Sequence, residues 1–486
     1  MNKLLTTVFL VALIVVTLHS FAPQAQANGY KPIKPIAISD GPQLFLGDHL
    51  LAKTTNLTRC LQQPTKHPAN PLIIQDQPWE KRVIEIYGTV LYEADKDKFR
   101  CWYLAGENDN GIPDNPDHPR TVEYYMCYAE SEDGIHWTKP MVGEGRFGRY
   151  DKHNIVIRGG HGACILPTPW DKDPKRRYKS LGGNIVGFSP DGIHWNIHPF
   201  NAAGKNDTSS SVIYHKREYL AFVRNQGRWP GGVLREVAIS VSKDFLNWTP
   251  KKTVFKTDEN DDAPWTQPYG LAVTPYGDQL IGIVWMIHLD HEKRNNMRGE
   301  QDMQLIVSRD GRQWNRVADR AVFMAPTPGT WDAGRVFPGT TMFVKDDLVH
   351  IYYSGTNTSH GSGDWGRPGI GLATLPADRF VALSPESDSS PGIIQTKTLS
   401  FDGKTLLVNA QVPSGGLKVE LLDEQGNVIP GFESDNCQLV RNDPLRYRVQ
   451  WESGGNEKQI GNCPKKMAAI RFQLKRGDLY AFQIIE

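Results

Sequence analysis

Ser131-Glu132-Asp133-Gly134-Ile135-His136-Trp137 is the stretch whose reading decides the fold, because its pattern returns three more times downstream. Ser189-Pro190-Asp191-Gly192-Ile193-His194-Trp195 repeats it almost letter for letter. Ser242-Lys243-Asp244-Phe245-Leu246-Asn247-Trp248 and Ser308-Arg309-Asp310-Gly311-Arg312-Gln313-Trp314 keep the Ser, the Asp and the Trp. The spacing predicts a tight turn between antiparallel strands. Asp folds its carboxylate onto the backbone, and Gly supplies a positive φ that a side chain resists. Trp opens the next strand and is large enough to cover the seam between repeats. The same turn in every repeat is structural, since one active site cannot be built four times over.

Working outward, the repeats follow one another about 50–70 residues apart, each with room for four strands. The first is expected to hold strands at 84–92, 99–104 and 123–130, and the second at 162–166, 178–181 and 185–189. The third holds 209–214, 219–224 and 235–242, and the fourth 269–274, 280–286 and 303–308. A fifth unit, with strands at 339–344, 349–354 and 369–374, ends in Asp378-Arg379-Phe380 where the others have Asp-Gly-x-x-Trp. Units of this length and strand content are propeller blades. The predicted fold is therefore all-β, a five-bladed β-propeller at 84–390 followed by a C-terminal β-sandwich at 391–486. A lead-in at 28–83 is expected to pack on the propeller and to lend the last blade an outer strand.

Residues 1–27 read as a secretory signal, with Lys3, an apolar run at 4–18 and the small-x-small site Ala25-Gln26-Ala27. The expected destination is secreted or periplasmic, with no membrane contact after cleavage. A formal net charge of +1 offers no electrostatic case for nucleic acid. Six cysteines in an oxidising compartment suggest disulfides. Cys437 and Cys463, alone in the C-terminal region, are the expected pair, and Cys101 with Cys127 is a second, cross-strand pairing left open. Cys60 and Cys164 are unassigned.

Five blades, the Ser-x-Asp-Gly-x-x-Trp turns, the secretion signal and the C-terminal sandwich together resemble the exported glycoside hydrolases of the family 32 type and their family 43 and 68 relatives. The ending Gly369-Ile370-Gly371-Leu372-Ala373 with Asp378-x-Phe380 resembles the last blade of exported bacterial proteins grouped with them. The Asn-Asp-Pro-Asn, Arg-Asp-Pro and Glu-Cys signatures of that clan are absent. The resemblance implies a glycosidase acting on a plant or algal poly- or oligosaccharide, furanosides among them, with a carbohydrate substrate and no cofactor. The acidic stretch Asp258-Glu259-Asn260-Asp261-Asp262 reads as a solvated loop or at best a weak structural Ca²⁺ site, and the spacing of Cys60 and Cys164 is unlike a zinc site. Two alternatives stand beside it: a non-catalytic carbohydrate-binding propeller, and a sialidase-like hydrolase, whose Asp boxes the turns also resemble and which requires three converging arginines.

In a propeller the starts of the inner strands surround one mouth of the axis, so the residues that differ between blades there are the candidates. Glycoside cleavage needs a carboxyl pair. The expected pair is Glu85 with Asp207, and Glu80 is the reserve for Glu85. Each also has a structural reading, Asp207 as a turn cap and the glutamates as loop charges. His161, held between two glycines, Arg224, Tyr269, Gln267 and Arg335 are the expected substrate-binding residues. The guanidiniums suit a sugar carboxylate or sulfate, which they bind through paired hydrogen bonds.

Overall fold

The structure is a computed structural model that describes residues 34–107, 123–199, 210–229, 232–291 and 297–486. The expected signal at 1–27 and Asp207 lie outside the described residues. Among the described residues no helix is long and apolar enough to cross a membrane.

The propeller forms as the turn spacing predicts. Blade 1 runs from the inner strand outward as Val83–Glu93, Lys98–Glu107, Glu123–Ser131 and Ile155–Arg158. Blade 2 is Cys164–Pro167, Tyr178–Gly182, Ile185–Ser189 and Asn196–Pro199, and blade 3 is Ser211–His215, Glu218–Trp229, Gly232–Ser242 and Lys252–Phe255. Blade 4 has Thr266–Tyr276, Gln279–Leu289 and Gly299–Ser308, with Asn315–Arg316 and Val322–Met324 sharing its outer edge. Blade 5 takes Leu348–Thr356 and Gly369–Pro376 from its own repeat and borrows its outer strand from the N-terminal segment, as Thr65–Lys66 and Ile73–Ile74. That pairing closes the ring and covers an edge that would otherwise be exposed.

The inner strand of blade 5 differs from the expected single run. Arg335–Pro338 and Phe343–Lys345 both pair with Leu348–Thr356, and the residues between them leave the ladder. They leave it because their polar groups serve the axis. Thr340 Oγ1 meets Thr89 Oγ1 at 2.6 Å, the Thr340 carbonyl accepts from Ser211 Oγ at 3.0 Å, and Thr341 Oγ1 meets Thr274 Oγ1 at 3.1 Å. Four blades are thus tied at the centre by hydrogen bonds that satisfy buried polar groups.

Each Ser-x-Asp turn has the geometry its letters require. In blade 2 the Gly192 N–H donates to Ser189 Oγ at 2.8 Å, the Asp191 carboxylate accepts the N–H groups of Ile193 and His194 at 2.8 and 2.9 Å, and the Trp195 indole donates to the Gly192 carbonyl at 3.0 Å. Gly134, Gly192 and Gly311 have φ of 76°, 82° and 71°, and Phe245 takes φ 67° in the copy that lacks Gly. Each turn docks on the preceding blade. Tyr352 of blade 5 donates to the Gly134 carbonyl at 2.8 Å, and Trp102 of blade 1 donates to that of Gly192 at 2.7 Å. Phe188 of blade 2 meets Phe245 edge-on, with ring centroids 6.0 Å apart. Trp137 and Trp314 cover seams as expected, edge-on to Tyr352 and Phe222 of the preceding blades.

The sandwich has its own core around Phe45, Trp451, Phe472 and Phe482. Its spine is Thr405–Leu422, which pairs with Met467–Lys475 along one half and Asp478–Ile485 along the other. The N-terminal segment contributes here as well: Leu51–Thr55 pairs with Gly392–Thr396, and Leu57–Leu61 with Val381–Pro385. One segment therefore completes both sheets. The expected Cys437 to Cys463 disulfide is not formed, and all six thiols are free. Both cysteines are buried in the sandwich core, but each sulfur has its own backbone partner. Cys437 Sγ accepts from the Val419 N–H at 3.3 Å, and Cys463 Sγ donates to the Met467 carbonyl at 3.6 Å. Cys101 and Cys127 sit on neighbouring strands, in register with Ala129 and Tyr103, also as thiols.

Candidate active site

The Asp turns join third strands to fourth, so they occupy one face of the ring. At the other face first strands begin, second strands end and third strands begin. Two β-bulges aim side chains there. The blade 4 inner strand shifts register between Pro268 and Gly270, at Tyr269, and the blade 1 inner strand shifts between Glu85 and Thr89. Bulges re-aim a side chain at the expense of one ladder bond. The chain passes the bulges tightly: a Cβ at Gly270 would lie 2.2 Å from the Trp285 ring, and one at Gly88 would lie 1.8 Å from the Trp102 carbonyl oxygen.

Glu85 and Arg335, the inner-strand residues of blades 1 and 5, form an ion pair at 2.9 Å, only 5% and 6% exposed. Burial pushes the Glu85 carboxyl above its ordinary value, against the pull of Arg335 and His161. His161 stacks on Tyr124 with centroids 4.6 Å apart and meets Tyr87 edge-on at 5.4 Å. Tyr269 is the centre of the far side. Its hydroxyl lies 2.9 Å from His360 Nε2, and the guanidiniums of Arg224 and Arg235 stand 4.5 and 5.2 Å from its ring centroid. Arg224 also donates to the Tyr269 carbonyl at 2.5 Å. Burial lowers the His360 pKa to about 4, helped by Arg335, Arg235 and Arg224, so the imidazole is neutral at pH 7.

The structure thus brings Glu85, His161, Arg224, Tyr269 and Arg335 to one end of the axis. Gln267 sits behind them: its Oε1 accepts from Arg235 Nη1 at 3.0 Å and from the Arg235 N–H, and its Nε2 donates to the Pro264 carbonyl at 2.7 Å. It braces Arg235. Glu80 is a correction. Fully buried, it accepts from the Tyr103 hydroxyl at 2.6 Å, the Asp76 and Gln77 N–H groups at 3.1 Å and Lys139 Nζ at 2.8 Å. Those bonds occupy its carboxylate in capping the short turn Pro78–Glu80. In the acidic stretch, Asp258 and Asp261 are bound by Arg320 and Arg316, and Asp262 lies 2.9 Å from His291. Among the described residues no cluster of metal-ligating side chains occurs.

Three participants escape a reading of the sequence: Arg235, His360 and Trp365, whose ring lies 5.9 Å from the Arg335 guanidinium carbon. His360 carries the same signal that marked His161, a histidine in a Gly- and Ser-rich loop, Ser359-His360-Gly361-Ser362-Gly363. Arg235 opens no inner strand and has no such mark.

No protein-family model matches the chain, and no curated protein matches it in sequence. Solved structures do resemble it. A β-1,2-mannobiose phosphorylase from Listeria innocua is 13% identical with a TM-score of 0.46, over 65% of this chain and 97% of that one. A glycosyl hydrolase from Bacteroides ovatus is 15% identical with a TM-score of 0.45, over 66% and 95%. A family 32 β-fructofuranosidase from Bombyx mori is 9% identical with a TM-score of 0.36, over 87% and 95%.

Proposed function

We propose that the chain is an exported enzyme that breaks glycosidic bonds in an acidic poly- or oligosaccharide, binding the anionic sugar at the axial end. The observation that carries this reading is the gathering of Arg224, Arg235 and Arg335 about Tyr269 and His360. Guanidiniums recognise carboxylate and sulfate through paired, charge-assisted hydrogen bonds. Trp365, half-buried beside Arg335, offers an aromatic ring to a sugar. Glu85, whose carboxyl burial pushes above its ordinary value, is the acidic group nearest the arginines that could serve the leaving oxygen. The three guanidiniums also favour a second reading, a sialidase-like hydrolase, since that chemistry needs such a triad.

The test is release of reducing ends from polygalacturonate, alginate and a neutral mannan by the purified protein. Cleavage confined to the acidic polymers is expected, with Arg224→Gln raising KM about tenfold or more through loss of one charge-assisted contact. Cleavage of mannan alone would refute the acidic-sugar assignment. Binding to the acidic polymers without cleavage would make the protein a carbohydrate-binding propeller.

A further inference from the structure

The turns that join first strands to second lie on the same face as the Asp turns, opposite the axial site, and they are not alike. Blade 4 places Asp278 there, and blade 5 places Asp346 and Asp347. Blade 3 puts Lys216 and Arg217 at the two positions that blade 5 gives to aspartates, with φ of 49° and 66° against 50° and 60°. Hairpin turns of this kind favour Asn, Asp and Gly, because both central residues take positive φ. Lys and Arg hold such angles at a cost in backbone strain.

Blade 2 replaces the short turn with the loop 168–177, which holds Trp170, Lys172, Lys175, Arg176 and Arg177. Trp170 is 54% exposed, the most exposed large apolar side chain among the described residues. Its ring lies against Tyr214 of blade 3, with centroids 5.3 Å apart and planes at 33°, and Tyr214 lies 4.9 Å from Tyr219. Two blades thus make one aromatic ledge beside Lys216 and Arg217. The carboxylates nearby are already engaged: Asp171 pairs with Lys179 at 2.5 Å, Asp173 accepts the Lys175 N–H at 3.0 Å, and Glu218 meets Arg312 at 3.2 Å. Lys172, Lys175, Arg177, Lys216 and Arg217 are exposed, so the ledge is flanked by positive charge.

The basic surface continues round the ring. Lys216 Nζ donates to the Arg309 carbonyl at 3.1 Å. Arg309 lines a cavity of about 870 Å³ between blade 4 and the N-terminal segment, whose walls include His49, Gln313 and Asn315. Burial and the charges of Arg309 and Lys397 lower the His49 pKa, as a cationic surround requires.

We propose that this aromatic and basic track on the turn face is a second binding surface, which holds a polyuronate chain independently of the axial end. The inference rests on the acidic-sugar reading. A pyranose has a C–H face that packs on an aromatic ring, and a polyuronate repeats a carboxylate at every sugar. Trp170 and Tyr214 take the ring face and the flanking cations take the charges. A polymer held at one place is at high local concentration for the other.

The test is retardation of the full-length protein in cold native gels cast with polygalacturonate, alginate, neutral mannan or duplex DNA. Retardation by the two polyuronates is expected, weakened about fivefold or more by Trp170→Ala. Lys216→Asp/Arg217→Asp, which installs the pair that blade 5 carries in the same turn, is expected to weaken it further. Trp170→Phe keeps a ring and should keep most of the retardation, and melting temperatures are measured alongside. A folded Trp170→Ala protein retarded like the parent would overturn the track, and would leave the acidic-sugar function standing where reducing ends are released. Equal retardation by mannan would overturn the choice of an anionic chain. Equal retardation by DNA would show a surface that reads charge alone and would overturn a sugar site. Retardation that depends on Trp170 without release of reducing ends would keep the track and overturn the cleavage.

Discussion

The two faces of the propeller are built on opposite rules. On the turn face four blades repeat one device, with Ser, Asp and Trp in fixed places and hydrogen bonds that differ by only a few tenths of an ångström between copies. On the axial face the blades do not repeat one device: Glu85 comes from blade 1, His161 from the approach to blade 2, two arginines from blade 3, Tyr269 from blade 4 and a third arginine, Arg335, from blade 5. Repetition marks what every blade needs in order to close and dock. Divergence marks where one ligand is met from several sides.

The strongest way to break this contrast is to remove a charge from the axial face. Arg335→Met leaves the Glu85 carboxylate buried without its partner, and the expected loss in chemical denaturation is about 3–5 kcal/mol. The double variant Glu85→Leu/Arg335→Met should recover most of it, because no uncompensated charge remains. An equal loss in both proteins would show that the ion pair is incidental packing.

A turn tests the other face. In Gly192→Ala the new Cβ meets the Trp102 ring at 2.7 Å, at a φ of 82°, and the expected cost is about 1–3 kcal/mol. Ser189→Ala removes the acceptor of the Gly192 N–H and should cost about 1 kcal/mol. If Ser189→Ala proves costlier than Gly192→Ala, the hydrogen bonds matter more than the docking on blade 1.

pH separates the faces as well. His360 has its pKa lowered to about 4, so below about 6.5 the unfolded chain binds a proton that the folded one does not, and stability falls from there down to about pH 4. The turn carboxylates act in a lower window. In Asp191 burial is outweighed by the hydrogen bonds from His194 and Ile193, and the pKa is lowered to about 2. Its contribution is present above the unfolded value near 3.9 and is lost as pH falls toward 2. His360→Gln should flatten the upper window of the stability curve and leave the lower one, and Asp191→Asn should do the reverse.

Much of this was legible in the chain. Within a Ser-x-Asp turn every partner lies within a few residues, so the letters alone fix the hydrogen bonds, and Trp137 and Trp314 cover their seams for the same reason of spacing. Glu85, His161, Arg224, Tyr269 and Arg335 were reachable because the repeat gives the phase of each blade, and phase says which strand ends meet at the axis. Glu80 misled because a carboxyl before an inner strand looks the same in sequence whether it faces the axis or caps a turn. Cys437 and Cys463 misled because shared burial in one core does not bring two sulfurs together.

By itself, then, the sequence determined the number of blades, their order and the turns that dock them, since those depend on local spacing repeated along the chain. Only the tertiary structure decided that Tyr269 and His360 form a pair, that arginines from two blades surround them, and that residues 36–61 complete the sandwich while 65–74 close the ring. Those contacts join residues up to hundreds of positions apart. They exist because closing five twisted sheets into a ring brings their inner strand ends to one mouth.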